Sequence, residues 1–141
     1  MKLESNFEHN SDMPRELTCQ GEDLSPHLKW SGVPKETKSF ALRIFDPDAP
    51  GDGWVHWQVY NIPRASTGFE KGTYEGSQVP NDFGKEDYGG PCPPSGKHKY
   101  VHTLYALDVE ELEDVTKDNF LEKIGAHTID KAELIGLYEK S

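Results

Sequence analysis

The sequence predicts a mainly β fold, organised as a single domain over residues 1–141. Three stretches alternate apolar and polar residues with a period of two, the pattern of half-buried strands: residues 38–45, 54–62 and 100–109. Only residues 118–124 have the spacing and flanking residues of a helix. A chain of 141 residues is also long enough to bury roughly two thirds of the surface that it exposes when unfolded.

This alternation predicts which side chains share a face of each strand. Residues 5–30 are polar and irregular, and they predict short edge strands joined by turns, with a weak strand around residues 28–30. The strand at 38–45 ends before Pro47, which has no backbone N–H to give to a sheet. The strand at 54–62 is predicted to place one set of side chains on each face: Trp54, His56, Gln58 and Tyr60 opposite Val55, Trp57 and Val59.

Glycine, proline, asparagine and aspartate predominate between residues 63 and 96 and predict a long loop. The helix at 118–124 has Thr116 as its predicted cap and Gly125 as its stop. Residues 131–138 alternate again and predict a closing strand. The long loop carries several aromatic side chains, so we predict that it is ordered and packs on the core: Phe69, Tyr74, Phe83 and Tyr88.

The charge balance restricts the partners. Fifteen Lys and Arg against twenty-five Asp and Glu leave a formal net charge of −10, which repels nucleic acids and anionic membrane surfaces. Any anion must therefore be bound by a local group of residues. No stretch approaches the roughly 18 consecutive apolar residues of a membrane-spanning helix. We predict no nucleic-acid partner, no integral membrane segment and a cytoplasmic location.

Cysteine and histidine spacing gives no metal or cofactor. Cys19 and Cys92 are too few for a disulfide framework and lack the CxxC spacing, so we predict free thiols, with a single disulfide as the alternative. The histidines follow neither H-x₃-H nor HExxH spacing. The segment around Asp46 departs from a calcium loop, and residues 89–98 depart from a phosphate loop.

Asp46, His56 and His98 lie near the ends of predicted strands, and we interpret them as one small anion pocket. A carboxylate within ~4–6 Å of an imidazole favours its cation, so a pair of cationic histidines would hold phosphate. Backbone N–H groups from Gly89, Gly90 and Cys92 would add donors. In the alternative interpretation the histidines are ordinary sheet residues and Asp46 is a turn former.

The same residues allow a catalytic alternative. Cys92 with His98 would make a thiolate–imidazole pair, or His56 would act as a base oriented by Asp46. However, the G-x-S-x-G motif is absent and prolines flank Cys92, which favours a structural thiol. We assign no catalytic residue and predict a binding protein, not an enzyme.

Two motifs in this sequence resemble the signature regions of the phosphatidylethanolamine-binding protein family, which includes the Raf kinase inhibitor proteins. Shorter matches extend the resemblance over nearly the whole chain, and the short form is similar to the bacterial and archaeal branch. The first motif is Asp46-Pro47-Asp48-Ala49-Pro50 followed by Trp54, His56 and Trp57. The second is Tyr88-Gly89-Gly90-Pro91-Cys92-Pro93-Pro94 followed by Gly96 and His98-Lys99-Tyr100.

The resemblance implies two antiparallel sheets in a Greek-key arrangement with few short helices. It implies that Asp46, His56 and His98 form the anion pocket, with Trp54 and Tyr100 at its wall and Gly90 to Cys92 supplying backbone. Asp48 and Pro50 would brace this pocket, and Ala49–Pro50 is the predicted cis peptide. A kinase or protease as partner and a homodimer are further expectations of the resemblance.

Three functions follow as hypotheses. The first is a non-enzymatic protein that binds phosphate or a phosphoryl headgroup and modulates a kinase or protease. The second is a small hydrolase or transferase that uses the histidines as acid and base. The third is a protease-inhibitor module that acts through its surface loops.

Overall fold

The computed structural model describes residues 1–141 and confirms the mainly β fold. The one α-helix, α1, is Phe120–Gly125, and a short 3₁₀ helix is formed by Arg15–Leu17. In chain order the strands are β1 Lys2–Glu4, β2 Ser11–Asp12, β3 Leu28–Ser31, β4 Ser39–Asp46, β5 Trp54–Pro63, β6 Gly68–Phe69, β7 Ser77–Gln78, β8 His98–Leu107 and β9 Thr128–Tyr138.

The strands form two sheets. A six-stranded sheet has the order β2-β9-β8-β4-β5-β7, and a three-stranded sheet has the order β1-β3-β6. Within the larger sheet, β8 returns beside β4 after the long excursion through β6 and β7, so β8-β4-β5-β7 has the Greek-key order. All pairs are antiparallel except β2 with β9, which is parallel.

The main core contains side chains from both sheets. Phe40, Leu42 and Ile44, which alternate along β4, are all buried in this core, as the period of two in residues 38–45 predicts. Trp30 of the small sheet packs against Phe40 and makes an edge-on contact with Phe69. A second, smaller core lies beneath the helix and comprises Ala41, Val79, Leu107, Phe120 and Ile124.

The helix begins two residues later than predicted. Thr116 and Asn119 exchange hydrogen bonds in which each side-chain oxygen accepts from the other residue's backbone N–H, at 2.7 and 3.2 Å. This reciprocal pattern resembles a capping box, so Thr116 caps the turn that leads into α1.

The register between β4 and β5 departs from strict alternation. Ile44 pairs with Trp57, whereas the next residue, Phe45, pairs with Val55, so His56 is an extra residue on β5. Such a β-bulge re-aims side chains. The predicted grouping of Val55 with Trp57 on one face is therefore wrong, since Trp57 is buried in the main core while Val55 is not.

The long loop is only partly as predicted. It contains the short strands β6 and β7, and two of its aromatic residues, Phe69 and Tyr88, are buried in the main core. Tyr74 and Phe83 are instead 44% and 43% exposed. The loop is therefore anchored at two aromatic positions and leaves the other two at the surface.

The prediction of free thiols is wrong, because Cys19 and Cys92 form a disulfide across 73 positions, with 5.4 Å between their Cα atoms. The fold lays the segment after the 3₁₀ helix along the proline-rich loop. Two hydrogen bonds hold the segments together, from Cys19 N–H to Pro91 O at 3.1 Å and from Gly90 N–H to Asp23 Oδ1 at 2.9 Å.

The predicted cis peptide at Ala49–Pro50 is also wrong, since every peptide bond is trans. The chain reverses by another device here. Gly51 and Gly53 have φ values of +77° and +87°, which glycine adopts without steric cost. The β4–β5 connection therefore turns at its glycines.

No helix in this chain is both long and apolar enough to cross a membrane.

Candidate functional site

A small cavity of about 220 Å³ opens at one end of the central strands of the large sheet. The strand order explains its position, because the end of β4 lies between the starts of its neighbours β5 and β8. Residues far apart in sequence therefore meet there. The lining residues are Asp46, Ala49, Pro50, Trp54, His56, Phe83, Cys92, Pro93, Pro94, His98 and Tyr100.

A buried histidine–aspartate hydrogen bond forms the polar wall of this cavity. His98 Nδ1 lies 2.7 Å from Asp46 Oδ2, and both side chains are almost entirely buried. The other carboxylate oxygen of Asp46 accepts a hydrogen bond from the Asp48 backbone N–H at 2.8 Å. Since the carboxylate fixes the proton on Nδ1, it also leaves Nε2 of His98 without a protein partner.

His56 is held differently. Its Nδ1 donates to the backbone carbonyl of Gly89 at 2.6 Å, and the ring makes an edge-on contact with Tyr100 at a centroid distance of 5.2 Å. Burial lowers the pKa of the His56 imidazole below its usual range, although the hydrogen bond and the charge of Asp46 partly oppose this shift. The lowered pKa favours the neutral form of His56, which does not match the prediction of two cationic histidines.

Tyr100 lies between the two histidines and carries an unsatisfied polar group. Its hydroxyl is buried and has no hydrogen-bond partner in the protein. Burial, followed by the negative charges of Asp46 and Asp48, raises the pKa of this phenol, so it remains a neutral donor. A buried polar atom without a partner requires an explanation, and a ligand or an ordered water in the cavity supplies one.

Asp48 ties the loop after β4 to the start of β8. Its Oδ2 accepts the Lys99 backbone N–H at 2.8 Å, and its Oδ1 lies 3.4 Å from Lys99 Nζ. The backbone hydrogen bond is the main reason why the pKa of Asp48 is lowered. Pro50, the other predicted bracing residue, itself lines the cavity.

The predicted backbone donors are mostly occupied. Gly89 N–H donates to His56 O at 3.0 Å, and Gly90 N–H donates to Asp23 Oδ1 at 2.9 Å. Gly90 does not line the cavity, whereas Cys92 does, through its place in the disulfide. The structure therefore gives the Gly89 and Gly90 amides a structural role and leaves ligand contacts to side chains.

Phe83 also lines the cavity, although it is not among the predicted site residues. Its ring makes edge-on contacts with Trp54 and with His56, at centroid distances of 5.4 and 5.3 Å. The fully buried Asn81 holds this loop, because its Oδ1 accepts the Phe83 backbone N–H at 2.9 Å. An asparagine two residues before an aromatic residue is a usable signal, since asparagine side chains commonly bond to the backbone two residues on.

Larger clefts elsewhere on the molecule, of about 520 and 700 Å³, do not contain a comparable group of residues. The 700 Å³ cleft is lined by Thr37, whose buried hydroxyl also lacks a partner, but neither cleft has a buried histidine bonded to a buried carboxylate. No three His, Cys, Asp or Glu residues lie together in a way that could hold a metal ion. The cavity beside Asp46 is therefore the strongest candidate site.

The family is decided by comparison with known proteins. The model of the family described as "Phosphatidylethanolamine-binding protein" matches residues 4–139. This chain belongs to that family. Among curated relatives of the family, a UPF0098 protein of Methanothermobacter thermautotrophicus is 46% identical over 143 residues, covering 95% of each chain.

Solved structures of family members have the same fold. The putative phosphatidylethanolamine-binding protein homologue CT736 from Chlamydia trachomatis has a TM-score of 0.94 at 39% identity, covering 99% of this chain and 97% of its own. YbcL of Escherichia coli, titled a new member of the mammalian PEBP family, has a TM-score of 0.91 at 34% identity, covering 99% and 98%. The resemblance found in the sequence is thus confirmed for family and fold.

Proposed function

We propose that this protein binds a small anion bearing a phosphoryl group in the cavity of Asp46, His56 and His98, without catalysing a reaction. The observation that carries the proposal is the buried, unpartnered hydroxyl of Tyr100. Tyr100 lines the same cavity as two imidazoles whose Nδ1 atoms are already bonded, so each ring has its Nε2 left for a ligand. A few polar groups converging in an otherwise apolar cavity are characteristic of a small-molecule site.

The size of the cavity supports a headgroup or a free phosphate. A volume of about 220 Å³ is roughly seven times the ~30 Å³ that one water molecule occupies in the liquid. This accommodates a phosphoryl group and a small substituent. It does not accommodate an entire lipid.

The charges favour a monoanion. No Lys or Arg lines the cavity, and the charge of Asp46 offsets that of a cationic His98. A dianion would therefore meet no net positive charge. Because the second pKa of a phosphate monoester is about 6, lower pH increases the bound form. We expect tighter binding at pH 6 than at pH 8.

Isothermal titration with phosphate and phosphoethanolamine at both pH values tests this proposal. Binding that strengthens at pH 6 and disappears in His98→Ala supports it. Binding of the same strength at both pH values would contradict the preference for a monoanion. Binding unaffected by His98→Ala would show that the anion does not bind in this cavity.

The hydrolase or transferase alternative has one observation in its favour. The 2.7 Å contact between Asp46 and His98 is the arrangement that orients an imidazole as a general base. The cavity offers no free thiol, since Cys92 is in a disulfide, and no Ser or Thr hydroxyl, so a water activated by the imidazole would be the nucleophile. Turnover of a phosphoester or acyl ester that is abolished by His56→Ala would support this alternative.

Modulation of a kinase or protease, inhibition through surface loops, and a homodimer remain proposals that rest on family membership. Inhibition of a protease that survives loss of both cavity histidines would support the surface-loop hypothesis. Light scattering of the purified protein tests the dimer.

The cytoplasmic location is a further proposal, and the disulfide weighs against it because such bonds are rare in reducing compartments. Alkylation of free thiols at the moment of cell lysis tests that point.

A further inference from the structure

The mouth of the cavity is aromatic, in contrast to its polar wall. Trp54 and Phe83 both line the cavity, their rings meet edge-on at 5.4 Å, and they are 36% and 43% exposed. Large apolar side chains are seldom exposed to this degree in a folded protein. Two of them in contact at the entrance of a cavity form apolar surface that a ligand can cover.

The Phe83 ring is fixed in this position before any ligand arrives. Asn81 uses all four of its side-chain hydrogen bonds on this part of the molecule: its Oδ1 accepts from Phe83 and Lys85, and its Nδ2 donates to the carbonyls of His56 and Asp87. Asp82 adds a second anchor, because its carboxylate accepts the Val55 N–H at 2.7 Å.

The neighbouring glycine makes room for this ring. A Cβ atom at position 89 would collide with the Phe83 side chain. Gly89 also provides the carbonyl that holds His56. The loop therefore sets the histidine and the phenylalanine together, and a ligand pays little to order either one.

We propose that Phe83 is a specificity-determining residue, which with Trp54 makes the cavity select a phosphate monoester with a flat apolar substituent over inorganic phosphate. This inference rests on the proposed function. The phosphoryl group would contact the polar wall at His98 and Tyr100. The ester substituent would extend out of the cavity along the rings of Trp54 and Phe83. Inorganic phosphate has no atoms to contact them, so only the ester gains from the aromatic mouth.

Titration calorimetry at pH 6 with inorganic phosphate, methyl phosphate and phenyl phosphate tests this assignment. The wild type is expected to bind phenyl phosphate about tenfold more tightly than inorganic phosphate, the factor that an aromatic contact and its buried surface provide. Phe83→Ala should lose most of that preference, measured as the ratio of its affinities for phenyl phosphate and inorganic phosphate. Phe83→Leu, which keeps apolar volume, should retain an intermediate preference.

Tyr74→Ala is the matched control. Tyr74 belongs to the same long loop, is equally exposed and packs edge-on against Trp57, but it does not line the cavity. Its loss should leave the preference unchanged. Equal preference in Phe83→Ala and the wild type would overturn the inference while leaving phosphate binding intact. Failure of the wild type to bind any of the three ligands would overturn both the inference and the proposed function.

Discussion

His98 and His102 lie on the same buried face of strand β8, four positions apart, yet they occupy opposite kinds of environment. His98, at the cavity, bonds a carboxylate through Nδ1 and has its Nε2 left for a ligand. His102, in the interior, bonds only the Tyr100 carbonyl at 2.9 Å and contacts the Phe7 ring.

Burial lowers the pKa of His102 to about 4, so this ring is neutral throughout the range in which the protein is expected to work. The strand pattern places each histidine on the inner face, and the neighbouring strands supply the hydrogen-bond partners that determine its chemistry. Asp46 stands next to His98, and no carboxylate bonds His102. The same residue type is thus a ligand group at one end of the strand and a core side chain further along.

The largest expected effect comes from the covalent link beside the cavity, which the His102 region lacks. The double variant Cys19→Ala/Cys92→Ala should reduce the free energy of unfolding by about 2–4 kcal/mol, because the disulfide restricts the unfolded chain. Denaturant unfolding measures this loss. A dithiol reductant should destabilise the wild type and leave the double variant unchanged; an equal response in both would refute the role of the bond.

The interior histidine predicts a dependence of stability on acid. The pKa of His102 is lower in the folded state than in the unfolded chain, so the unfolded state takes up more protons as pH falls from about 6.5 toward 4. Stability is complete above this window and decreases through it, by at most about 3 kcal/mol from this group. Unfolding at pH 7 and pH 4.5 measures the decrease.

His102→Gln should remove this part of the acid sensitivity, since a neutral amide does not take up the proton. Other titrating groups contribute equally to the variant and the wild type, so the difference between their pH dependences isolates His102. Identical dependences would show that His102 is not the group that titrates.

The cavity histidine should instead control ligand affinity. His98→Ala is expected to weaken phosphate binding by about 1.5–3 kcal/mol, the value of a hydrogen bond to a charged group. His127→Ala is the matched control, because His127 also contacts an aspartate, Asp108, at 2.9 Å but lies on the exposed surface away from the cavity. Equal losses in both variants would contradict a specific role for His98.

The smallest expected effect is that of a change at Tyr100, which lies between His98 and His102 on β8. Tyr100→Phe removes a hydroxyl that has no partner in the protein, so stability without ligand should stay the same or rise slightly. Phosphate affinity should fall by about 0.5–1.5 kcal/mol, the net worth of one neutral hydrogen bond. Calorimetry and thermal unfolding measure the two quantities, and a loss of stability without loss of affinity would place the hydroxyl outside the site.

Much of the fold could be predicted from sequence. The sequence of strands β4, β5, β8 and β9 has a period-two alternation, and their predicted bounds differ from the observed ones by at most three residues. The two-residue strands β6 and β7 were not predicted, because two residues cannot establish a period. Their existence depends on β3 and β5, which supply their hydrogen-bond partners.

The candidate site could be predicted in its residues but not in its electrostatics. The sequence placed Asp46, His56 and His98 near strand ends, and the structure brings all three to one cavity. It could not show that Asp46 pairs with His98 while His56 takes a backbone carbonyl. That difference makes one histidine the partner of a carboxylate, while burial lowers the pKa of the other.

The sequence alone determined the β character of the chain, its acidic charge and the inner face of β4, because composition and alternation are local properties. Only the tertiary structure decided which strand ends meet, the bulge at His56, the disulfide and the position of Phe83. Each of these depends on contacts between segments far apart in the chain, such as the 52 positions that separate Asp46 from His98. Local patterns carry no information on that pairing, since it is chosen by the packing of the whole core.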